Sequence, residues 1–379
     1  MEGHTQRAPS AGALRLLPRR LRIVDVALFY GERSGGIRTY LEAKAAYAAH
    51  TGAFEHHLVV PGRPELLAES CEHRHEQRSL RLAASNGYRI PLGGSGLIAT
   101  LRALAPDVVL LHDPYWTPRL ACRAAHASGA AVIAVHHSSP ALHAAGLPGP
   151  ERLVRGALRR WYRHAYVGVD AVMSVIDPGL EAARTPSLPL RFGLDAAFRP
   201  RPEIARREHV LYVGRLSREK GLRELLDAAA KAPEPWRLVL LGTGSAQDAL
   251  RERSRQLGLP PRLRFAPYLR DRERLAREYA RARCLVLPGA HETFGLAALE
   301  AAACGTPVVT ASATPAAGLL GGLVEVFEAG DVPSLQAAIE RARARPPNLA
   351  AAAQLSATYS WARALSAELS DLERLLGAS

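Results

Sequence analysis

The feature that most limits how this chain can fold is a rhythm. Short apolar, β-branched runs alternate with Ala- and Arg-rich helical stretches, and the alternation is played twice. The first series is Arg22–Phe29, His57–Pro61, Asp107–Leu111, Ala131–His136 and Ala171–Ile176. The second is His209–Gly214, Arg237–Gly242, Leu263–Ala266, Cys284–Pro288, Pro307–Thr310 and Leu323–Phe327. Continuous short apolar runs suit strands buried on both faces. Helices between such strands carry the chain back for parallel pairing. The expectation is therefore α/β, with two doubly wound parallel-sheet domains. Between the series, Leu188–Pro202 holds three prolines and reads as a connection. Residues 1–20 read as a flexible basic lead-in, 21–190 as the first domain and 191–357 as the second. Ligands of open parallel sheets bind beyond the carboxyl ends of the strands. Two such domains facing each other make a cleft for a nucleotide and a second substrate.

Composition enters as a set of exclusions. Of 379 residues 48% are hydrophobic, enough for two cores and too many for a disordered chain. No window approaches the roughly 18 apolar residues of a membrane span, and the arginines at 15, 19, 20 and 22 break up any signal-peptide stretch. The cysteines Cys71, Cys122, Cys284 and Cys304 lie far apart, without zinc spacing. These features read as a soluble protein of a reducing cytosol. The net charge is +13, but 46 of the 49 basic residues are arginine; the lysines are Lys44, Lys220 and Lys231. Arginine is a habit of this chain and says little about partners, whereas lysine is scarce enough that Lys220 does not stand where it does by chance.

Four constellations carry chemistry. In Val213-Gly-Arg-Leu-Ser-Arg-Glu-Lys-Gly221, Arg215 and Lys220 lie between Gly214, at the end of an expected strand, and the helix Leu222–Ala230. A helix N-terminus favours anions; a guanidinium and an ammonium beside it make a diphosphate clamp. In Pro288–Thr310, Glu292 sits in a loop and Glu300 on the expected helix Leu296–Ala303. Two carboxylates can accept sugar and ribose hydroxyls, while the N–H groups of Phe294, Gly295 and Leu296 face the ligand. In Tyr30-Gly-Glu-Arg-Ser-Gly-Gly-Ile-Arg38, Gly35 and Gly36 let the backbone approach a ligand at the next helix. Arg38 stands on the acceptor side, and Gly242 marks a similar turn near the nucleotide. Finally, His136 and His137 end one strand and His112 the preceding one. Adjacent residues of an extended segment point opposite ways, so one of the doublet faces the cleft.

Together, Gly-Gly after the first strand, Gly-Arg-x4-Lys-Gly, and Glu-x7-Glu within Glu-Thr-Phe-Gly-Leu-x3-Glu-Ala-x-Ala-Cys-Gly-Thr-Pro-Val-Val resemble the retaining glycosyltransferases of family 4, with the GT-B fold. The resemblance spans nearly the whole chain, including Phe-Gly-Leu-Asp-x2-Phe at the domain junction. Phe29-Tyr-Gly-x3-Gly-Gly looks nearest to bacterial α-mannosyltransferases of cell-envelope or glycolipid assembly. It implies that Arg215 and Lys220 bind the diphosphate, Glu300 the ribose and Glu292 the donor sugar. It further implies that Gly36 lies near phosphate and acceptor, and that His136 is the active-site histidine, with His137 as the other possibility. The last helix, in 358–379, would cross back to the first domain. After Thr310, Ala-Ser-Ala-Thr-Pro stands where many members have Gly-Gly-x-x-Glu. Phe265-Ala-Pro-Tyr268 replaces a glycine near the base pocket, leaving GDP- and UDP-hexose donors both open.

The expected reaction moves a hexose, mannose favoured, from a nucleotide diphosphate sugar to a hydroxyl of a glycan, glycolipid or small molecule. The nucleotide sugar is a co-substrate, and no cofactor or metal is expected. Alternatives are a same-fold sugar-phosphate synthase or phosphorylase and, in another class, a basic membrane- or nucleic-acid-binding protein without catalysis. No nucleic-acid partner is expected. Arg152, Arg155, Arg159, Arg160, Trp161 and Arg163 share one helix and could dock on anionic lipid. The expected location is cytoplasmic, with peripheral contact at the inner face of the membrane.

Overall fold

The computed structural model describes residues 20–28, 30, 35–62, 73–81, 89–112, 118–137, 144, 147, 149–175, 185–290 and 295–377. The first unit carries β1 (Arg22–Val26), β2 (Glu55–Pro61), β3 (Arg74–Gln77), the antiparallel pair β4 (Ser79–Arg81) and β5 (Arg89–Pro91), β6 (Val108–Leu111), β7 (Ala131–His136), β8 (Ala171–Ser174) and β9 (Ser187–Pro189). Its helices are α1 (Gly36–Thr51), α2 (Ser95–Leu104), α3 (Pro118–His126) and α4 (Glu151–Ala165). Seven strands form one parallel sheet in the order β3-β2-β1-β6-β7-β8-β9. Its central strands are buried on both faces: Ile23, Val24, Val59, Val109 and Ile133 are fully inaccessible. Each such side chain contributes about 1.5–3 kcal/mol by leaving water.

The second unit repeats the design. Strands β10 (His209–Val213), β11 (Arg237–Leu241), β12 (Leu263–Ala266), β13 (Cys284–Leu287), β14 (Val308–Ala311) and β15 (Val324–Phe327) pair in parallel in the order β12-β11-β10-β13-β14-β15. The helices are α5 (Leu222–Ala230), α6 (Gln247–Gln256), α7 (Arg272–Arg281), α8 (Leu296–Ala303), α9 (Pro315–Leu320), α10 (Val332–Ala344), α11 (Leu349–Thr358) and α12 (Trp361–Leu375). The fold is thus two parallel-sheet α/β domains, as the double rhythm predicts.

The chain crosses between the units twice, and the crossings run side by side. Leu194 bridges Ser360, and its N–H donates to the Tyr359 carbonyl at 2.8 Å. Helix α12 then returns to the first unit. Its Glu368 is buried against Lys44 and Tyr40 of α1, and its Asp371 pairs with Arg191 of the first crossing.

Four strands depart from the sequence reading. Strand β3, Arg-His-Glu-Gln, has no apolar run because it is an edge strand with one paired side. The β4–β5 pair is too short and polar to signal itself. Part of the expected connection from Leu188 is strand β9, which closes the opposite edge of the first sheet.

Candidate active site

The loops at the carboxyl ends of β10 and β11 are locked together. Gly214 N–H donates to the Leu241 carbonyl, and Leu216 N–H to that of Thr243, both at 3.1 Å. A Cβ on Gly242 would sit 1.9 Å from the Gly214 oxygen, so only glycine allows the approach. The Tyr212 hydroxyl donates to the Arg215 carbonyl at 2.7 Å and braces the loop. The Arg215 side chain is exposed. Lys220 ends a 3-10 turn, Arg218–Lys220, immediately before α5, and is partly buried. Both cations therefore stand in the loop that feeds the α5 N-terminus.

Helix α8 starts from Gly295, whose φ of 76° is left-handed. Leu-Ala-Ala-Leu-Glu-Ala-Ala-Ala is apolar on almost every side, and Ala298 to Ala303 are all buried. Its single polar residue, Glu300, is 7% exposed. Tyr279 of α7 donates its hydroxyl to Oε2 at 2.8 Å, and an Arg272 guanidinium nitrogen lies 3.6 Å from Oε1. Burial nonetheless pushes the carboxyl up to about 7. A carboxylate kept in an Ala-rich helix at such cost is a functional candidate.

From the other unit, α1 begins at Gly36, capped by Gly35. A Cβ on Gly36 would meet the Leu296 side chain at 3.2 Å, so the first turns of α1 and α8 approach across the cleft. Arg272 spans the same gap: it donates to the Thr39 hydroxyl at 2.8 Å on one side and faces Glu300 on the other. First-turn amides of a helix have no intrahelical acceptor. Two such ends facing each other make a strongly anion-favouring position. Arg38, a turn into α1, is paired with Glu42 at 2.6 Å and lies over the Tyr30 ring, as does Arg74.

The histidine doublet splits across β7. His136 packs edge-on against Tyr162 of α4 and against Tyr166. His137 lies on the opposite side, stacked on His112 with Nε2 2.6 Å from its Nδ1, and beside Tyr40 and Phe192. Thus His112 and His137 are brought together and His136 is not. Glu292 and Phe294 lie outside the described residues.

The sequence reading missed the cluster under His112. Asp25 of β1, fully buried, receives His112 Nε2 at 2.6 Å, His56 Nε2 at 2.8 Å and the Lys44 ammonium at 3.2 Å. Lys44 in turn lies 2.8 Å from Glu368. The available signals were an aspartate inside an apolar strand and one of only three lysines.

Comparison with known proteins agrees with this geometry. Residues 34–178 match the model of Glycosyltransferase Family 4, and residues 195–355 that of Glycosyl transferases group 1. A GDP-mannose-dependent alpha-(1-6)-phosphatidylinositol dimannoside mannosyltransferase of Mycobacterium tuberculosis (strain ATCC 25177 / H37Ra) is 32% identical over 313 residues, covering 76% of this chain and 79% of that protein. A glycogen synthase of M. tuberculosis (strain CDC 1551 / Oshkosh) is 31% identical, covering 70% and 68%. Among solved structures, sucrose-phosphate synthase from Thermosynechococcus elongatus superimposes with a TM-score of 0.73 at 19% identity, over 95% of this chain and all of that one. The two facing parallel-sheet domains and their cleft are those of a GT-B enzyme. The chain belongs to the family 4 glycosyltransferases.

Proposed function

We propose that this protein transfers a hexose, mannose favoured, from a nucleotide diphosphate sugar to an acceptor hydroxyl, with retention at the anomeric carbon. The observation that carries the reading is the approach of the α1 and α8 N-termini at Gly36 and Leu296. The diphosphate lies there, with Arg215 and Lys220 of the β10–α5 loop as cationic partners. The anomeric C–O bond to the diphosphate breaks and a bond to the acceptor oxygen forms on the same face. The acceptor proton leaves with the departing phosphate oxygen, so no protein base is needed. Positive charge and helix dipoles stabilise the leaving group as it develops, without a metal. Glu300 accepts the ribose hydroxyls, and Glu292 with the Phe294–Leu296 backbone holds the donor sugar. The N-terminal unit, with Arg38 and the end of β7, takes the acceptor.

GDP-mannose is the favoured donor because the mycobacterial mannosyltransferase is 32% identical over three quarters of this chain. A UDP-hexose is the second choice, and glucan-type or sugar-phosphate synthesis the second reaction, favoured by the likeness to glycogen synthase. The acceptor is a cell-envelope glycan or glycolipid, met at the inner membrane face by a cytoplasmic enzyme. Helix α4 supports this: Leu158, Tyr162 and Ala165 face inward, while Arg152, Arg159, Arg160 and Arg163 are exposed beside Leu153 and Trp161. Among the described residues no helix is long and apolar enough to cross a membrane. A panel of nucleotide sugars, scored by nucleotide release and thermal shift, tests the donor. Lys220→Ala should abolish transfer with an unchanged melting curve; near-normal turnover would sink the clamp.

A further inference from the structure

The inference rests on the glycosyltransferase reading: if Glu300 receives the ribose, its carboxylate must stay open beside the nearest cation. Thr39 on α1, Arg272 at the start of α7 and Glu300 on α8 form a chain of side chains across the cleft. The backbone under Arg272 is anchored. Asp271 caps α7 by accepting from the Arg274 N–H at 3.1 Å, and Glu273 accepts from the Arg201 side chain at 2.5 Å. The Arg272 side chain itself is 27% exposed, so its guanidinium has room to swing. One of its nitrogens donates to the Thr39 hydroxyl at 2.8 Å. Another lies 3.6 Å from Glu300 Oε1, too far for a hydrogen bond. Glu300 Oε2 already accepts the Tyr279 hydroxyl at 2.8 Å. Oε1 therefore keeps its acceptor capacity for a ligand.

Such spacing needs a cause. A guanidinium beside a buried carboxylate is drawn into direct, often bidentate contact, at about 2.7–2.9 Å. A swing of about 1 Å would bring Arg272 onto Oε1 and fill the positions that ribose hydroxyls need. The group that holds it back is the Thr39 hydroxyl, which belongs to the other unit. Gly36, one turn before Thr39, faces Leu296 at the start of α8. The approach of the two units and the openness of Glu300 thus meet in one contact. The surroundings of Glu300 make the setting measurable. Burial raises its carboxyl to about 7 against Arg272 and Tyr279 of α7, and Asp195 beside the first crossing adds to the rise. Cys304, just past the end of α8, is a thiol pushed up to about 12 and so carries no charge.

We propose that Arg272 is a positioning residue with two settings: held by Thr39, it leaves Glu300 Oε1 open to the ribose hydroxyls, and released from Thr39, it closes on Glu300 and takes their place. Nucleotide affinity in the second unit then depends on a hydroxyl supplied by the first. The contact is a hydrogen bond exchanged for an ion pair; no bond is made or broken and no proton is moved.

The test uses the full-length protein in two arms. In the first, calorimetry compares GDP and UDP with their dideoxy forms, which lack the ribose hydroxyls. Thr39→Val should weaken binding of the ordinary nucleotides on the order of tenfold, the worth of one charge-assisted hydrogen bond, and leave the dideoxy forms unchanged. Thr39→Ser, which keeps the hydroxyl, should bind as the unaltered protein does. At pH 9, above the Glu300 titration, an Arg272→Met background should cancel the effect of Thr39→Val, because no guanidinium is left to close. The second arm needs no ligand: 13C-carboxyl NMR reads the Glu300 midpoint, about 7 in the unaltered protein. It should fall in Thr39→Val, as the guanidinium closes, and rise in Arg272→Met. A midpoint that does not move in Thr39→Val overturns the proposal. So does an equal loss for ordinary and dideoxy nucleotides, or a loss that persists without Arg272. If the unaltered protein binds neither GDP nor UDP, the nucleotide reading fails, and the midpoint decides the two settings by itself.

Discussion

Replacing Glu300 by glutamine should strengthen the fold and weaken nucleotide binding at the same pH. The native carboxyl titrates near 7, against an ordinary 4.5. Raising the carboxyl from 4.5 to about 7, at 1.36 kcal/mol per pH unit, corresponds to about 3 kcal/mol. The sign follows from linkage. Because the folded pKa is raised, this group's stabilising contribution is complete below about pH 4.5 and is lost as pH rises through about 7. At pH 8 the native state therefore holds an ionised carboxylate in an Ala-lined site, offset by Tyr279 and Arg272 only in part. A glutamine side chain at this position would keep an acceptor for the Tyr279 hydroxyl and carry no charge. Glu300→Gln should thus match the unaltered protein below about pH 4 and exceed it by up to about 3 kcal/mol at pH 8, read by urea denaturation across that range. Binding should go the other way. Ribose hydroxyls donating to a carboxylate form charge-assisted bonds of about 1.5–3 kcal/mol each, and the amide offers one acceptor oxygen in place of two. Nucleotide affinity by calorimetry should fall on the order of 10- to 100-fold at pH 8, and the native protein's affinity should rise with pH through 7 as Glu300 ionises. A variant that is less stable at pH 8, or that binds nucleotide normally, would refute the reasoning.

Further outcomes follow from other residues. Lys44→Met would leave Asp25 and Glu368 facing each other in a fully buried site without their cation. Removing one partner of a buried ion pair costs about 3–5 kcal/mol, and at about 2–4 °C per kcal/mol the melting temperature should drop on the order of 10 °C. Adding Asp25→Asn to Lys44→Met should recover part of that loss, whereas additive losses would contradict the pairing. Changing Arg152, Arg159, Arg160 and Arg163 to glutamine should leave thermal stability within about 1 °C, since all four are exposed. The same change should abolish salt-sensitive co-sedimentation with anionic liposomes; binding indifferent to anionic lipid would reject the α4 docking surface.

The elements of the fold were legible because parallel strands buried on both faces need continuous apolar runs, and those runs stand out in this chain. The edges of the first sheet were not legible, although those of the second, β12 and β15, were. Strand β3 is built from Arg, His, Glu and Gln, and its place depends on pairing with β2, a partner more than a dozen residues away. At the candidate site, Gly214, Lys220, Glu300 and the two glycines at the start of α1 could be named in advance because turn chemistry and residue rarity are local properties. Lysine scarcity pointed at Lys220 but applied equally to Lys44, whose partners lie far away along the chain.

What the sequence determined by itself is therefore the periodic part: two series of buried strands, the glycines that must lie in tight loops, and a carboxylate placed in a helix otherwise made of alanine and leucine. What only the tertiary structure decided is which side chains meet. Asp25, Lys44 and Glu368 are separated by up to 343 positions (25 to 368), yet they share one ion-pair cluster because α12 returns to α1. The histidine doublet shows the same division. Alternation along a strand dictates that His136 and His137 face opposite ways. Only the packing of α4 on one side and of β1, α1 and His112 on the other settles what each ring touches. Local chemistry is written along the chain, whereas charge pairing in a low-dielectric interior depends on distances that only the assembled sheets set.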